Sequence, residues 1–105
     1  MKHIKNYKSD IQLKKYTCIK YSNENNNSTV YYIDEIIKIK KYIVYFTILY
    51  HYKDIKVFKE TEKYEKIETS MDIHKYIEDV LYTSDNLNDC KKFLEIYTTT
   101  NKFNL

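Results

Sequence analysis

A chain of 105 residues without a single glycine or proline must turn on residues that carry both a Cβ and a backbone N–H. Glycine is the usual occupant of left-handed turn positions, and proline pre-sets others. Asparagine is the next choice, because its short amide bonds its own backbone and tolerates the left-handed region. The stretch Ser22-Asn23-Glu24-Asn25-Asn26-Asn27-Ser28 is the low-complexity segment of this chain, and it reads as the loop of a hairpin. Alanine, arginine and tryptophan are absent as well, while 18 Lys, 14 Ile, 13 Tyr and 9 Asn are present. Lys, Asn, Ile and Tyr have A/T-rich codons, so a strongly A/T-rich coding sequence is the plainest cause.

The same absences exclude whole classes of site. Without glycine there is no Walker A loop, no G-x-G-x-x-G turn and no G-x-S-x-G nucleophile elbow, because each needs backbone that approaches its target without a Cβ in the way. Without arginine there is no bidentate fork for carboxylate, phosphate or guanine. Tyrosine is then the one abundant residue type of the kind that anchors protein interfaces.

Length sets one domain over 1–105, with 1–8 and 98–105 expected to fray. A net charge of +3 with 43% hydrophobic residues lacks the signature of a disordered chain. The first eight residues are basic, but no apolar segment follows them. The longest apolar stretch, Tyr42 to Tyr50, is too short to cross a bilayer. A soluble cytoplasmic protein with no membrane partner is expected (host cytoplasm if the chain is viral), with Cys18 and Cys90 reduced. A Cys18–Cys90 disulfide would require secretion.

Hydropathy alternates with period two in the first two thirds of the chain. Ile11–Tyr21 and Thr29–Ile39 read as strands around the Asn-rich loop. Tyr42–Tyr50 reads as a central strand, apolar or aromatic on both faces, with Lys40-Lys41 turning into it and His51–Asp54 turning out. Ile55–Val57 alternates as a fourth strand, and Lys63–Ile67 is a weaker fifth. From residue 70 the period lengthens. Ile73, Ile77, Val80 and Leu81 form a helical stripe behind Thr69–Asp72. Leu87, Cys90, Leu94 and Tyr97 form a second stripe, capped by Ser84-Asp85. The expected fold is α+β: an antiparallel meander of four to five strands, followed by two C-terminal helices packed on one face.

No catalytic, cofactor or metal site is read from the sequence, and an enzyme is not expected. His3, His51 and His74 lack metal-ligand spacing. A Cys18–His51 pair would need contact across the sheet and a depressed thiol pKa. Asp54-Ile55-Lys56 has the acid-x-Lys form of a nuclease core, but Asp89-Cys90-Lys91 has the same form in a helix, and Asp54 suits a turn.

Thirteen tyrosines cannot all be core in so small a chain, since each hydroxyl wants a partner. Half-exposed tyrosines on a rigid sheet make good interface material. The leading expectation is a small non-catalytic interaction protein that binds a protein or a protein–RNA complex, or its own copy as a homodimer, through Tyr31, Tyr32, Tyr45, Tyr50 and Tyr52. Compact chains of this size and codon bias are typical of phages, viruses and mobile elements, whose small proteins often inhibit a host or defence complex, anti-CRISPR proteins among them. DNA mimicry is disfavoured by the net positive charge. The alternative is a single-stranded nucleic-acid binder. Lys14, Lys15, Lys20, Lys38, Lys40 and Lys41 would neutralise phosphates, while Tyr16 and Tyr21, with Tyr31, Tyr32 and Tyr42 beside them, would stack on bases.

Overall fold

The computed structural model describes residues 12–23, 28–53, 58–60 and 67–103. Its strands are β1 (Tyr16–Asn23), β2 (Ser28–Lys40), β3 (Ile43–Lys53), β4 (Phe58–Glu60), β5 (Thr69–Asp72) and β6 (Val80–Ser84). A short helix α1 (Ile73–Glu78) follows β5, and a long helix α2 (Leu87–Phe103) follows β6. The architecture is the α+β arrangement expected, with two C-terminal helices. The sheet is antiparallel, in the order β4-β3-β2-β1-β6. β5 shares the outer edge of β3 with β4: β4 pairs with Tyr50–Tyr52 and β5 with Ile43–Phe46, so the sheet is five strands wide.

Ser22 faces Thr29 and Asn23 faces Ser28, which makes β1 and β2 a hairpin; the connecting residues 24–27 lie outside the described residues, as does the expected strand Ile55–Val57. The next hairpin turns on Lys41-Tyr42, between the paired Lys40 and Ile43. Lys41 takes φ 58°, the left-handed position that glycine would normally fill. Residues 51–53 do not form the expected turn, because β3 runs on to Lys53 with Tyr31 opposite Tyr52.

The second expected helix boundary also moves. Asp72 caps α1, accepting from the backbone N–H groups of His74 (2.8 Å) and Lys75 (3.4 Å). The helix stops after Glu78, and Val80 and Leu81 belong to β6. The outer edge of β1 offers a row of backbone donors and acceptors, and pairing Tyr16–Ile19 with Ser84–Val80 satisfies them. At α2 the cap is Asn86, whose Oδ1 accepts from the Asn88 N–H at 2.9 Å. Asp85 instead accepts from the Lys15 N–H. Ser84 Oγ accepts from the Asn86 N–H and donates to Asp89 in the first turn, where a carboxylate suits the helix dipole. α2 continues beyond Thr98, which is buried and donates its hydroxyl to the Leu94 carbonyl at 2.7 Å.

Because a strand separates the helices, they do not share a face. Side chains alternate along β2, so Tyr31 and Ile33 point to one side and Tyr32, Asp34 and Ile36 to the other. On the first side, Cys90 and Leu94 of α2 pack on Cys18, Tyr31, Ile33 and Tyr52. On the second, Tyr76 of α1 packs on Ile19, Val44 and Phe46. A bulge at Leu49, where Ile33 faces Tyr50 but Asp34 faces Ile48, reverses the parity of β3. Val44, Phe46 and Ile48 therefore serve the α1 side, while Tyr50 and Tyr52 serve the α2 side.

Candidate functional site

Two places stand out once the core is assigned: the far end of the β2–β3 hairpin, and a cavity beneath α1. The hairpin end exists because β2 is longer than its neighbour. β1 begins opposite Glu35, and the last backbone bond between them joins the Ile36 N–H to the Lys15 carbonyl. Among the described residues, no strand pairs with that side of β2 over Ile37–Lys40. Ile37 and Ile39 are 46% and 44% exposed there, and Tyr42 at the turn is 68% exposed. Lys38, Lys40 and Lys41 are exposed around them. Lys38 lies over the Tyr45 ring with its Nζ 4.8 Å from the centroid, and Tyr42 stacks on His74 at 5.8 Å.

The tyrosines singled out from the sequence scatter. Tyr31 and Tyr52 are buried under α2 and meet edge to face, with centroids 6.3 Å apart. They are core, because alternation along β2 puts Tyr31 on the side α2 covers, and the Leu49 bulge with the length of β3 puts Tyr52 there too. Tyr50 is half-buried beneath Lys91, whose Nζ is 4.3 Å from its ring. Tyr32 is half-buried on the α1 side, and Tyr45 is half-buried at the hairpin end. Among the lysines, Lys14 and Lys15 are exposed at the start of β1, Lys15 over Tyr16 (5.5 Å) and 3.9 Å from Glu35. Lys20 lies opposite Tyr31 toward the other end of the sheet, next to the exposed Tyr21. The structure thus gathers Lys38, Lys40, Lys41, Tyr42 and Tyr45, and leaves Lys20 and Tyr21 apart.

The cavity beneath α1 holds about 220 Å³. Its floor is Ile19 and Tyr21 of β1, Tyr32 and Asp34 of β2, and Phe46 and Ile48 of β3; Thr69 and Met71 of β5 and Tyr76 and Asp79 of the helical segment close its sides. Asp34 is 2% exposed. The Tyr76 hydroxyl donates to its Oδ2 at 2.7 Å. Oδ1 has no hydrogen-bond partner among the described residues. Burial pushes the Asp34 carboxyl up from the usual aspartate range to about 7, against the opposing pull of the Tyr76 hydroxyl. Burial, with the Asp34 carboxylate next to it, also drives the Tyr76 phenol far above its ordinary value.

Sequence reasoning passed over this acid. The available signal was Asp34 at the same parity as Tyr32 and Ile36 in a strand, an ionisable residue set on an apolar face.

The catalytic pairings weighed from the sequence do not assemble. Cys18 faces α2, its Sγ 3.5 Å from the Cys90 carbonyl, whereas His51 pairs with Tyr32 at the opposite parity to Tyr50 and Tyr52. Hydrogen bonding to Cys90 and burial push the Cys18 thiol far above its ordinary value, so it stays protonated. Among the described residues, no three His, Cys, Asp or Glu side chains come together, and no helix is long and apolar enough to cross a membrane. Asp54-Ile55-Lys56 lies outside the described residues. Comparison with protein-family models, with curated proteins and with solved structures found no match.

Proposed function

We propose that the chain is a non-catalytic interaction protein that binds a protein or a protein–RNA assembly through the projecting end of the β2–β3 hairpin. The observation that carries this reading is the edge of β2 at Ile37–Lys40, which no strand pairs among the described residues and where Ile37 and Ile39 are exposed beside Tyr42 at the turn. An exposed sheet edge is a template for an added strand, and apolar side chains beside it supply contact area. Lysines alternate with the isoleucines, so the edge favours a partner segment that carries acidic groups. The chain's small size and its Lys-, Ile- and Tyr-rich composition fit an inhibitor of a host or defence complex made by a phage, virus or mobile element, acting in the host cytoplasm. A second copy presenting the same edge would give a homodimer.

Tagged chain used for affinity capture, with mass spectrometry of what it retains, tests this reading. Ile39→Asp and Tyr42→Ser, each confirmed folded by circular dichroism, should lose the captured partner. Full retention by both variants would place the interface elsewhere.

A second reading has its own observation: Lys15, Lys38 and Lys91 each lie over a tyrosine ring. Lys15 and Lys38 share the side of β2 that carries Glu35, so a single strand tracking that side would meet charge and ring together. Oligonucleotide binding of this kind weakens steeply between low and physiological salt. A chain that shifts no single strand even at low salt rules it out.

A further inference from the structure

We propose that the cavity beneath α1 is a binding site for an organic ammonium group on a small apolar body, with Asp34 as its counter-ion. This site lies away from the hairpin edge and does not depend on the reading given above for it.

The cavity combines an apolar wall with an acidic floor. Asp34 is buried to 2% exposure and holds one oxygen on Tyr76, while its buried Oδ1 has no hydrogen-bond partner among the described residues. A buried carboxylate oxygen left in that state is costly, and natural structures rarely keep one without a use. Among the described residues no lysine or histidine lines the cavity, and the other charged group there is Asp79, also an acid. The field inside therefore favours a cation. A metal ion is a poor occupant, because hard cations want several oxygen ligands and the remaining described walls are Ile, Phe, Met and tyrosine rings with the single Thr69. An organic ammonium suits both parts: its head donates to Oδ1, and its body lies against Phe46, Tyr32 and Tyr21, with ring faces that themselves attract cations. Size agrees, since an apolar cavity of about 150 Å³ accepts benzene. The volume of about 220 Å³ accommodates a ring with a short aminoalkyl arm.

The same head group could arrive on a free arylalkylamine or on the lysine side chain of a bound protein. The test uses three probes on the full chain, at fixed ionic strength and a fixed pH above 7, where the Asp34 carboxyl is ionised, followed by ¹⁵N-edited NMR titration. Phenethylamine should give saturable shifts centred on the amides of Asp34, Phe46 and Tyr76. Its neutral isostere 2-phenylethanol should bind at least about tenfold more weakly, the size of one charge-assisted hydrogen bond. In Asp34→Asn that preference should vanish or reverse. Absence of saturable shifts with phenethylamine overturns the proposal, as does equal affinity for amine and alcohol, or an undiminished preference in Asp34→Asn. Should that variant fail to fold, the amine–alcohol comparison on the natural chain decides alone. The third probe, Nα-acetyl-lysine methylamide, separates the sources. Tighter binding than phenethylamine assigns the ammonium to an inserted lysine, and weaker binding assigns it to a free amine; both outcomes uphold an ammonium at Asp34.

Discussion

The two faces of the sheet bury polar groups in opposite ways. Under α2, Cys18 is fully buried and its thiol finds the Cys90 carbonyl; Thr98, also fully buried, finds the carbonyl of Leu94. Under α1, Asp34 is nearly as buried, and beside a cavity one of its oxygens has no partner among the described residues. Helix length accounts for the difference. α2 has 17 residues and crosses several strands with a continuous apolar stripe; α1 has 6, less than two turns, and supplies only Tyr76 and Ile77 as buried cover. A long helix closes a face by packing. A short one leaves room, and what is left over can be put to use. The α2 side is the structural half of this molecule, and the α1 side is the half with chemistry to spare.

The pH dependence of stability probes that contrast hardest. Asp34 has a folded pKa raised to about 7 from an ordinary 3.8. Between those values the folded chain holds a proton that the unfolded chain has released, so unfolding releases a proton and rising pH favours it. The Asp34 contribution is fully present below about pH 4 and is lost by about pH 7, to the extent of about 4 kcal/mol. Urea denaturation of the natural chain and of Asp34→Asn across this range should therefore give curves that diverge. Parallel curves would mean that the α1 face carries no electrostatic load.

Packing gives the next effect. Leu94→Ala should cost about 3 kcal/mol by opening a hole in a closed core, whereas Met71→Ala on the cavity rim should cost less than about 1 kcal/mol. Equal losses in chemical denaturation would erase the distinction between a closed and an open face. The smallest change lies outside both faces. Lys41→Gly should raise stability by about 0.5 kcal/mol, because it relieves a left-handed residue at the cost of a freer unfolded chain. Its denaturation curve should shift without altering either the pH profile or amine binding.

Local pattern carried the class of the fold. Alternating Ile, Tyr, Val and Thr marked β2 to within a residue, whereas β1 begins at Tyr16 instead of Ile11 and β3 runs on past Tyr50 to Lys53; the stripe Leu87, Cys90, Leu94, Tyr97 marked α2. What escaped depends on pairing far along the chain. Val80 and Leu81 extend the stripe begun by Ile73 and Ile77, yet the open edge of β1 claims them, some 60 residues away. That strand carries the chain across to the other face, so the helices part. The bulge at Leu49 had a similar consequence for the tyrosines. Tyr42, Val44, Phe46, Ile48 and Tyr50 read as one face of a strand, but an extra residue divides them between two cores and draws Tyr52 inside with Tyr50. The exposed Ile37 and Ile39 escaped for a related reason, since their exposure is set by where β1 begins.

The placement of β1 has a consequence in time. It lies inside the sheet with β2, its neighbour in sequence, on one side and β6, formed from residues 80–84, on the other. During synthesis the β1–β2 and β2–β3 hairpins can pair as they emerge, through contacts close along the chain. Cys18, Tyr31 and Ile33 meet Leu94 only after α2 has been made. Until then a nascent chain shows one finished ribbon with an uncovered apolar side, and its folding is completed by its C-terminal third.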